Sequence, residues 1–284
     1  MNLDKFKKRI AEIKNLKSKK KMRDLNLSDL QELPIINGAL EFKFRNYSFF
    51  MLNINNDDGV VLRYLWRDQY EKLSLNLWYH LTRNTGYFFD IGAHTGIYSV
   101  VGNLGKKENQ IISIEPFFLN YSRLLSNLKL NNISTRNCFL TALSNSEGLD
   151  KMKINSDNYY HTAGNKISNE GNLGIEKKKL DNFKLDYKVM ALKIDTEGHE
   201  YEVLEGGLKT IEINAPEIIF EINEKNFNKP IGLLKKFKYN FYFINEDKNT
   251  LSPIDEFDLS LIKPEGSNCL ATQMQYKDLL SKII

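Results

Sequence analysis

Tyr87-Phe88-Phe89-Asp90-Ile91-Gly92-Ala93-His94-Thr95-Gly96-Ile97-Tyr98-Ser99-Val100-Val101, followed after a short gap by Ile111-Ile112-Ser113-Ile114-Glu115-Pro116, decides the fold. An apolar run closed by glycine, an apolar helical pattern and a second apolar run ending in an acid read as strand, turn, helix, strand. Gly92 and Gly96 supply the sharp turn and a close approach to the backbone. Thr95 is placed to cap the helix, whose first N–H groups lack partners within it. Glu115 ends the second strand about 20 residues on, where a carboxylate suits two ribose hydroxyls. The stretch predicts a nucleoside-containing cofactor at the carboxyl edge of a parallel sheet.

The glycine spacing narrows the cofactor. A pyrophosphate presses on backbone N–H groups and usually needs G-x-G-x-x-G. Here the pattern is Asp90-x-Gly92-x-x-x-Gly96, with His94 at the middle glycine's place, and no Walker lysine pattern is present. A cationic, phosphate-free nucleoside fits better, and S-adenosylmethionine is one. Asp90 would favour its ammonium group. Gly92, Gly96 and Glu115 join Asp90 in the expected cofactor set, with His94 at the mouth of the cleft, placed to touch either cofactor or substrate.

Around this core the chain is an ordinary globular one of 284 residues, 42% hydrophobic and 27% charged. Its net charge of +4 is uneven. Residues 1–23 hold ten Lys or Arg against Asp4 and Glu12, a net +8, which leaves −4 for the remainder. The body is therefore not a basic nucleic-acid surface. Cys138 and Cys269 match neither a metal knuckle nor a disulfide framework. No apolar run is long enough for a membrane span, and the start lacks a signal-peptide core. A reducing cytoplasmic setting is the expectation.

Leu3, Phe6, Ile10, Ile13 and Leu16 recur at helical spacing among lysines. Two readings fit this basic amphipathic helix: packing on the body or on a partner subunit of a homo-oligomer, or peripheral contact of residues 1–23 with an anionic membrane. Nucleic acid is a third. Residues 39–56 predict an antiparallel hairpin and residues 60–82 a helix. Glu71, in that helix, faces either the cofactor or solvent. Asn120 is placed to cap a helix carrying Leu124, Leu125 and Leu128. Residues 136–143 predict a third strand, at whose end Thr141 and Ala142 are candidate adenine contacts.

The alternation of strand and helix is then interrupted over about residues 144–180. A long insertion beside the carboxyl edge suits a substrate lid. Within it Tyr159, Tyr160 and His161 either meet a sugar-like substrate or fill a surface hairpin. Val189–Ile194 predicts a buried central strand that leads into Asp195-Thr196-Glu197-Gly198-His199-Glu200. Residues 217–222 follow as another strand bearing Glu221. Parallel strands gather their carboxyl ends on one edge, so Asp195, Glu197 and Glu221 should converge. Residues 239–244 and 268–273 predict further strands.

Together these pieces resemble the FkbM-family S-adenosylmethionine-dependent methyltransferases. The matching segments are Phe89–Gly96, Glu115-Pro116, Ala142-Leu143-Ser144, Leu192–Glu200, Val203–Gly206, Phe220–Ile222 and Asn268–Leu270. The segment Asp195-Thr196-Glu197-Gly198-His199-Glu200 after a Lys-Ile strand is the most particular of them. The resemblance implies a Rossmann-like class I α/β fold: a seven-stranded, mostly parallel sheet with helices on both faces. It also implies methyl transfer, usually to a hydroxyl of a sugar or natural product. The expected domains are an N-terminal helix-and-hairpin extension over 1–60 and a methyltransferase domain over 61–284. His94 and residues 1–60 depart from the family pattern.

A hydroxyl is a weak nucleophile at neutral pH, so a general base is expected. Asp195 and His199 are the candidates, with Glu197 beside them as a third catalytic residue and Glu221 on the substrate side. An alternative has Glu197 and Glu221 hold a divalent metal that acidifies a sugar diol. Structural carboxylates bound to loop N–H groups are a third reading. Two other function classes compete: a nucleic-acid methyltransferase, suggested by the basic arm, and a non-catalytic binding protein on the same fold.

Overall fold

The structure is a computed structural model. It describes residues 27–274, apart from residues 32, 107–109, 155–163, 224–225, 255–261 and 263–265, together with Ala11, Asn15 and Leu25. The amphipathic N-terminal segment (but for Ala11 and Asn15), the basic run after it, and Tyr159, Tyr160 and His161 lie outside the described residues.

Contacts divide the chain into two units, with a boundary after Tyr70 rather than at residue 60. The first unit holds α1 (Leu27–Gln31), β1 (Gly38–Phe44), β2 (Tyr47–Asn53) and α2 (Gly59–Arg67). The expected hairpin is there: β1 and β2 pair antiparallel around a two-residue turn at Arg45-Asn46. Strand side chains alternate between faces, and Leu40, Phe42, Phe44, Phe49 and Met51 all turn inward. The rings of Phe42, Phe49 and Tyr64 meet at 5.4–5.7 Å. Asp58 caps α2 by accepting from the N–H groups of Val60 and Val61.

The second unit continues with α3 (Lys72–Leu81), β3 (Tyr87–Ile91), α4 (Ile97–Asn103), β4 (Ile111–Ile114), α5 (Phe118–Leu130), β5 (Cys138–Phe139), β6 (Ala142–Leu143), β7 (Gly148–Lys153), β8 (Lys166–Ile167), β9 (Leu173–Lys178), β10 (Val189–Ile194), α6 (Glu200–Glu205), α7 (Leu208–Asn214), β11 (Glu217–Ile222), α8 (Asn228–Lys235), β12 (Asn240–Asn245), β13 (Thr250–Pro253) and β14 (Ser267–Thr272). Its main sheet runs β13-β12-β14-β11-β10-β3-β4-β5. The five strands from β11 to β5 are parallel. β14 inserts antiparallel between β11 and β12. This is the Rossmann-like α/β arrangement the resemblance implied. The eighth strand, β13, is the return arm of a hairpin with β12. The polar turn Glu246-Asp247-Lys248-Asn249 masked that arm in the sequence.

Three local expectations differ. Residues 60–82 form two helices, because the chain enters left-handed backbone at Asp68 (φ 60°) and Glu71 (φ 37°) and a right-handed helix cannot pass through it. Residues 136–143 are split. Cys138–Phe139 pairs with β4, but Ala142–Leu143 joins β9 in a separate sheet of order β6-β9-β7-β8. Thr141 guides the crossing by donating its hydroxyl to the Glu176 carbonyl at 3.0 Å. That second sheet occupies the expected insertion, over a small core of Phe117, Ala142, Met152 and Ile175. Finally, neither expected cap acts as one: α4 starts after Gly96 and α5 after Phe117, with no side-chain cap bond at either.

β3, β4, β10 and β11 are near-continuous Ile, Leu, Val and Phe because helices cover both faces of a parallel sheet. In β4, β3 and β10 the polar exceptions lie in one row. Ser113, Asp90 and Lys193 are registered neighbours across β4, β3 and β10, and so share a face.

Gly92 closes β3 at φ +75°. A Cβ there would overlap the main-chain carbonyl of Asp195, and the Asp195 N–H donates to the Ile91 carbonyl at 2.9 Å. The close approach inferred for this glycine is thus made by the protein's own second loop. Gly92→Ala combines that overlap with a backbone L residues avoid, and should cost about 3 kcal/mol. Thermal unfolding should show a midpoint lowered by roughly 10 °C; an unchanged midpoint would disprove the contact.

Candidate active site

The site grows from two loops at the carboxyl ends of β3, β4 and β10. The first is Gly92–Gly96. His94 takes a left-handed φ of 52°. Its N–H donates to Glu115 Oε2 at 2.8 Å, while Glu115 Oε1 accepts from the Phe117 N–H at 2.9 Å. The Asn120 side chain also bonds Glu115, which is the use the structure finds for it instead of capping. One carboxylate thus ties the glycine loop to the start of α5. Burial pushes Glu115 up to about 7, against the pull of those N–H groups. A carboxylate fixed in this way at the end of β4 has the chemistry to accept from a pair of ribose hydroxyls.

Asp90 lies deeper. It is 2% exposed and accepts from the Ser99 hydroxyl at 2.6 Å. Burial lifts it to about 6, opposed by Ser99 and Lys193. Its carboxylate braces the loop against α4 rather than facing outward toward an ammonium group. Gly96, at φ +95°, leaves room for Leu124 of α5. Ala142 packs its methyl against the Phe117 cluster.

The second loop is Asp195–His199. Glu197 sits left-handed at φ 55° and accepts from the Gly164 N–H at 2.9 Å. Glu200, fully buried, shapes the loop. Its Oε1 accepts from the Thr196 N–H and hydroxyl, each at 3.0 Å, and from the Gly198 N–H at 3.1 Å. Its Oε2 accepts from Asn226 at 2.8 Å. Burial raises both Glu197 and Glu200 above the usual carboxylate range, with Asp195 adding.

At the centre stands Lys193, a residue the sequence reading left inside its strand motif without a role. Its side chain is 1% exposed and donates to Asp195 Oδ2 at 3.1 Å and Asn268 Oδ1 at 3.2 Å. The ammonium lies 5.0 Å from the centre of the Tyr98 ring. Burial pulls it down, but Asp195, Glu71 and Glu221 together hold it above the ordinary lysine value. Tyr98 donates in turn to Glu71 at 2.5 Å. Glu221 is pushed up to about 10, first by burial and then by Asp195, with Lys193 opposing. One lysine cannot neutralise several part-buried carboxylates at once, which favours the protonated form of Glu221.

Asp195, Glu197 and Glu221 therefore lie in one electrostatic cluster. His199 turns elsewhere: its Nε2 is 2.9 Å from the Ser144 hydroxyl and its Nδ1 3.6 Å from Glu202. Burial lowers it below the usual histidine value. Lys193, Tyr98 and Asn268 were missed because each is an ordinary core-strand or helix residue in sequence. The one available signal was a lysine inside an otherwise apolar central strand. Among the described residues no group of three or more His, Cys, Asp or Glu side chains has the arrangement to hold a metal ion. Nor is any helix among them long and apolar enough to cross a membrane.

The methyltransferase FkbM domain matches residues 90–245. Among solved structures, the chain is similar to an FkbM methyltransferase from Methylobacillus flagellatus KT, at 14% identity and a TM-score of 0.44, over 77% of this chain and 54% of that one. It is also similar to a precorrin-6y C5,15-methyltransferase from Geobacter metallireducens GS-15, at 13% identity and a TM-score of 0.41, over 72% and 88% of the two chains. A third is an S-adenosylmethionine-dependent O-methyltransferase from Thermotoga maritima, at 9% identity and a TM-score of 0.38, over 80% and 74%. The chain spans about half the length of the first. No curated protein matches it.

Removing Lys193 leaves Asp195 and the part-buried Glu71 and Glu221 without their cation. Lys193→Met should destabilise the protein by about 3 kcal/mol, and Asp195→Asn should recover part of that loss in the double variant. Denaturant unfolding of the three variants measures the coupling. Simple additivity would remove the ion pair from this account.

Proposed function

Because the chain belongs to the FkbM family of S-adenosylmethionine-dependent methyltransferases, we propose that it methylates a hydroxyl oxygen of a sugar, glycan or glycolipid precursor. The observation that carries the reading is the Lys193–Asp195 ion pair at the end of β10, with the Asp195 main chain seated on Gly92. Lys193 is buried, but the Asp195 side chain is 30% exposed. It is thus a charged acceptor that a substrate proton can reach, beside the cofactor loop.

Glu115 and the loop Gly92–Gly96 would hold the cofactor. When bound, S-adenosylmethionine supplies an electrophilic methyl group on a sulfonium. Asp195 Oδ2 is occupied by Lys193, and Oδ1 takes the proton from the acceptor hydroxyl. The lysine charge keeps the carboxylate from drifting and stabilises its place. Glu221, carrying a proton, donates a hydrogen bond to a neighbouring hydroxyl, and Glu197 accepts one. A mixed set of donors and acceptors suits a polyol, whose hydroxyls do both. His199 stays a neutral supporting group against Ser144. Tyr159, Tyr160 and His161 are proposed as the sugar-facing part of the insertion. The basic residues 1–23 are proposed to touch an anionic membrane, and a cytoplasmic setting accompanies that reading.

Incubation with labelled S-adenosylmethionine and a cell-envelope extract tests the acceptor. Label in base-stable methyl ethers of saccharide or glycolipid supports the proposal. Label confined to RNA would replace it with the nucleic-acid reading. With that extract, Asp195→Asn should lower the methylation rate by about 100-fold or more while cofactor binding in calorimetry is retained. An unchanged rate would take the base role from Asp195.

Cofactor binding should also report Glu115. Ribose hydroxyls donate to its ionised form, so below about 7 binding must displace a proton. Affinity should fall by up to about tenfold per pH unit below that value, and Glu115→Gln should flatten the dependence. The stability sign is opposite. With a folded value near 7 above an ordinary 4.5, the group's contribution is full below 4.5 and lost as pH rises through 7. Calorimetry and thermal unfolding from pH 5 to 8 measure both slopes.

A further inference from the structure

Lys193 is aimed by a chain of side chains drawn from elements far apart in sequence. Its ammonium donates to Asn268 Oδ1 at 3.2 Å, and Asn268 Nδ2 donates to the Ser74 hydroxyl at 3.1 Å. The Ser74 hydroxyl donates in turn to Glu246 Oε1 at 2.5 Å. Glu246 is held in turn by the N–H groups of Leu73, at 2.7 Å, and Ser74, at 3.0 Å, which are orphan donors of the first turn of α3. Every bond in the chain points the same way, from cation to anion.

That direction fixes the asparagine. A reversed amide would set its NH₂ against the ammonium, donor to donor. It would also set its carbonyl against a serine oxygen whose hydrogen is already given to Glu246. Asn268 is 6% exposed and Ser74 is fully buried, so water does not relieve either clash. With Asn268 and Asp195 on two sides and the Tyr98 ring on a third, the ammonium has one place to sit. Other carboxylates compete for it: Glu71 and Glu221 both act on Lys193.

We propose that Asn268, oriented by Ser74 and Glu246, is a positioning residue that directs Lys193 onto Asp195 in preference to Glu71 and Glu221. The inference rests on the reading of Asp195 as the base. Without the Asn268 oxygen the ammonium is drawn toward the competing carboxylates. Asp195 then loses the partner that holds its carboxylate in place beside the acceptor hydroxyl.

The test uses the full chain, labelled S-adenosylmethionine and the cell-envelope extract, with Asn268→Leu and the milder Ser74→Ala. For Asn268→Leu kcat should fall about tenfold while the KM for S-adenosylmethionine stays unchanged. Ser74→Ala should show the same split with a smaller fall. A wild-type kcat in Asn268→Leu overturns the proposal, and a KM for S-adenosylmethionine that rises as kcat falls marks a merely structural role and overturns it too. Thermal midpoints of Lys193→Met, Asn268→Leu and their double variant read the contact without any activity. A double variant that loses less than the sum of the two single losses supports the relay, and full additivity overturns it. Wild-type rate in Asp195→Asn defeats the base reading, and the positioning role with it, whatever the midpoints show.

Discussion

One buried lysine sets the terms for the second unit's carboxyl edge. Lys193 lies in the central strand of a parallel sheet, where its neighbours in sequence are wholly apolar. A charge there is tolerated only with partners, since an unpaired buried ammonium is among the costliest groups a fold can hold. The structure supplies them from strands and helices on both sides: Asp195, Asn268 and Tyr98 directly, Glu71 and Glu221 at longer range. Because cationic charge is scarce, the surrounding acids sort themselves. Asp195 takes the ion pair, and Glu221 keeps its proton.

The two loops are braced by different means. The first loop hangs on Glu115, whose two oxygens bind backbone N–H groups on either side of it. The second loop hangs on Glu200, which collects the N–H groups of Thr196 and Gly198. Their point of contact is Gly92 on Asp195, where only a missing side chain lets the main chains meet. Left-handed backbone at His94 and Glu197, one in each loop, shows where the strain of this arrangement is stored. Such strain persists because the carboxylate braces over-determine it.

Much of this was legible beforehand. The strands 87–91, 111–114, 189–194 and 217–222 stand where continuous apolar runs placed them, since a strand covered on both faces needs no polar alternation. What failed was local and had tertiary causes. Residues 136–143 are apolar enough for one strand, yet Ala142 and Leu143 pair with β9, a partner more than 30 residues away. Residues 60–82 are helical in composition, but left-handed turns at Asp68 and Glu71 divide them. Thr95 and Asn120 have the chemistry of caps. Thr95 is buried with its hydroxyl 3.3 Å from the His94 ring, and Asn120 is drawn to Glu115.

The sequence by itself placed Glu115, Asp195, Glu197 and Glu221 along one edge of the sheet, because strand period and glycine spacing put them at or just past strand ends. It also carried the family, through a Lys-Ile-Asp-Thr-Glu-Gly-His-Glu segment that few other arrangements would need. Only the tertiary structure decided what each acid does. Asp90 turned inward to Ser99, and His199 turned away to Ser144. Lys193 became the shared cation, through Ser74, Glu246 and Asn268. The physical reason is that protonation and orientation depend on burial and on partners far along the chain, and neither is a property of local sequence.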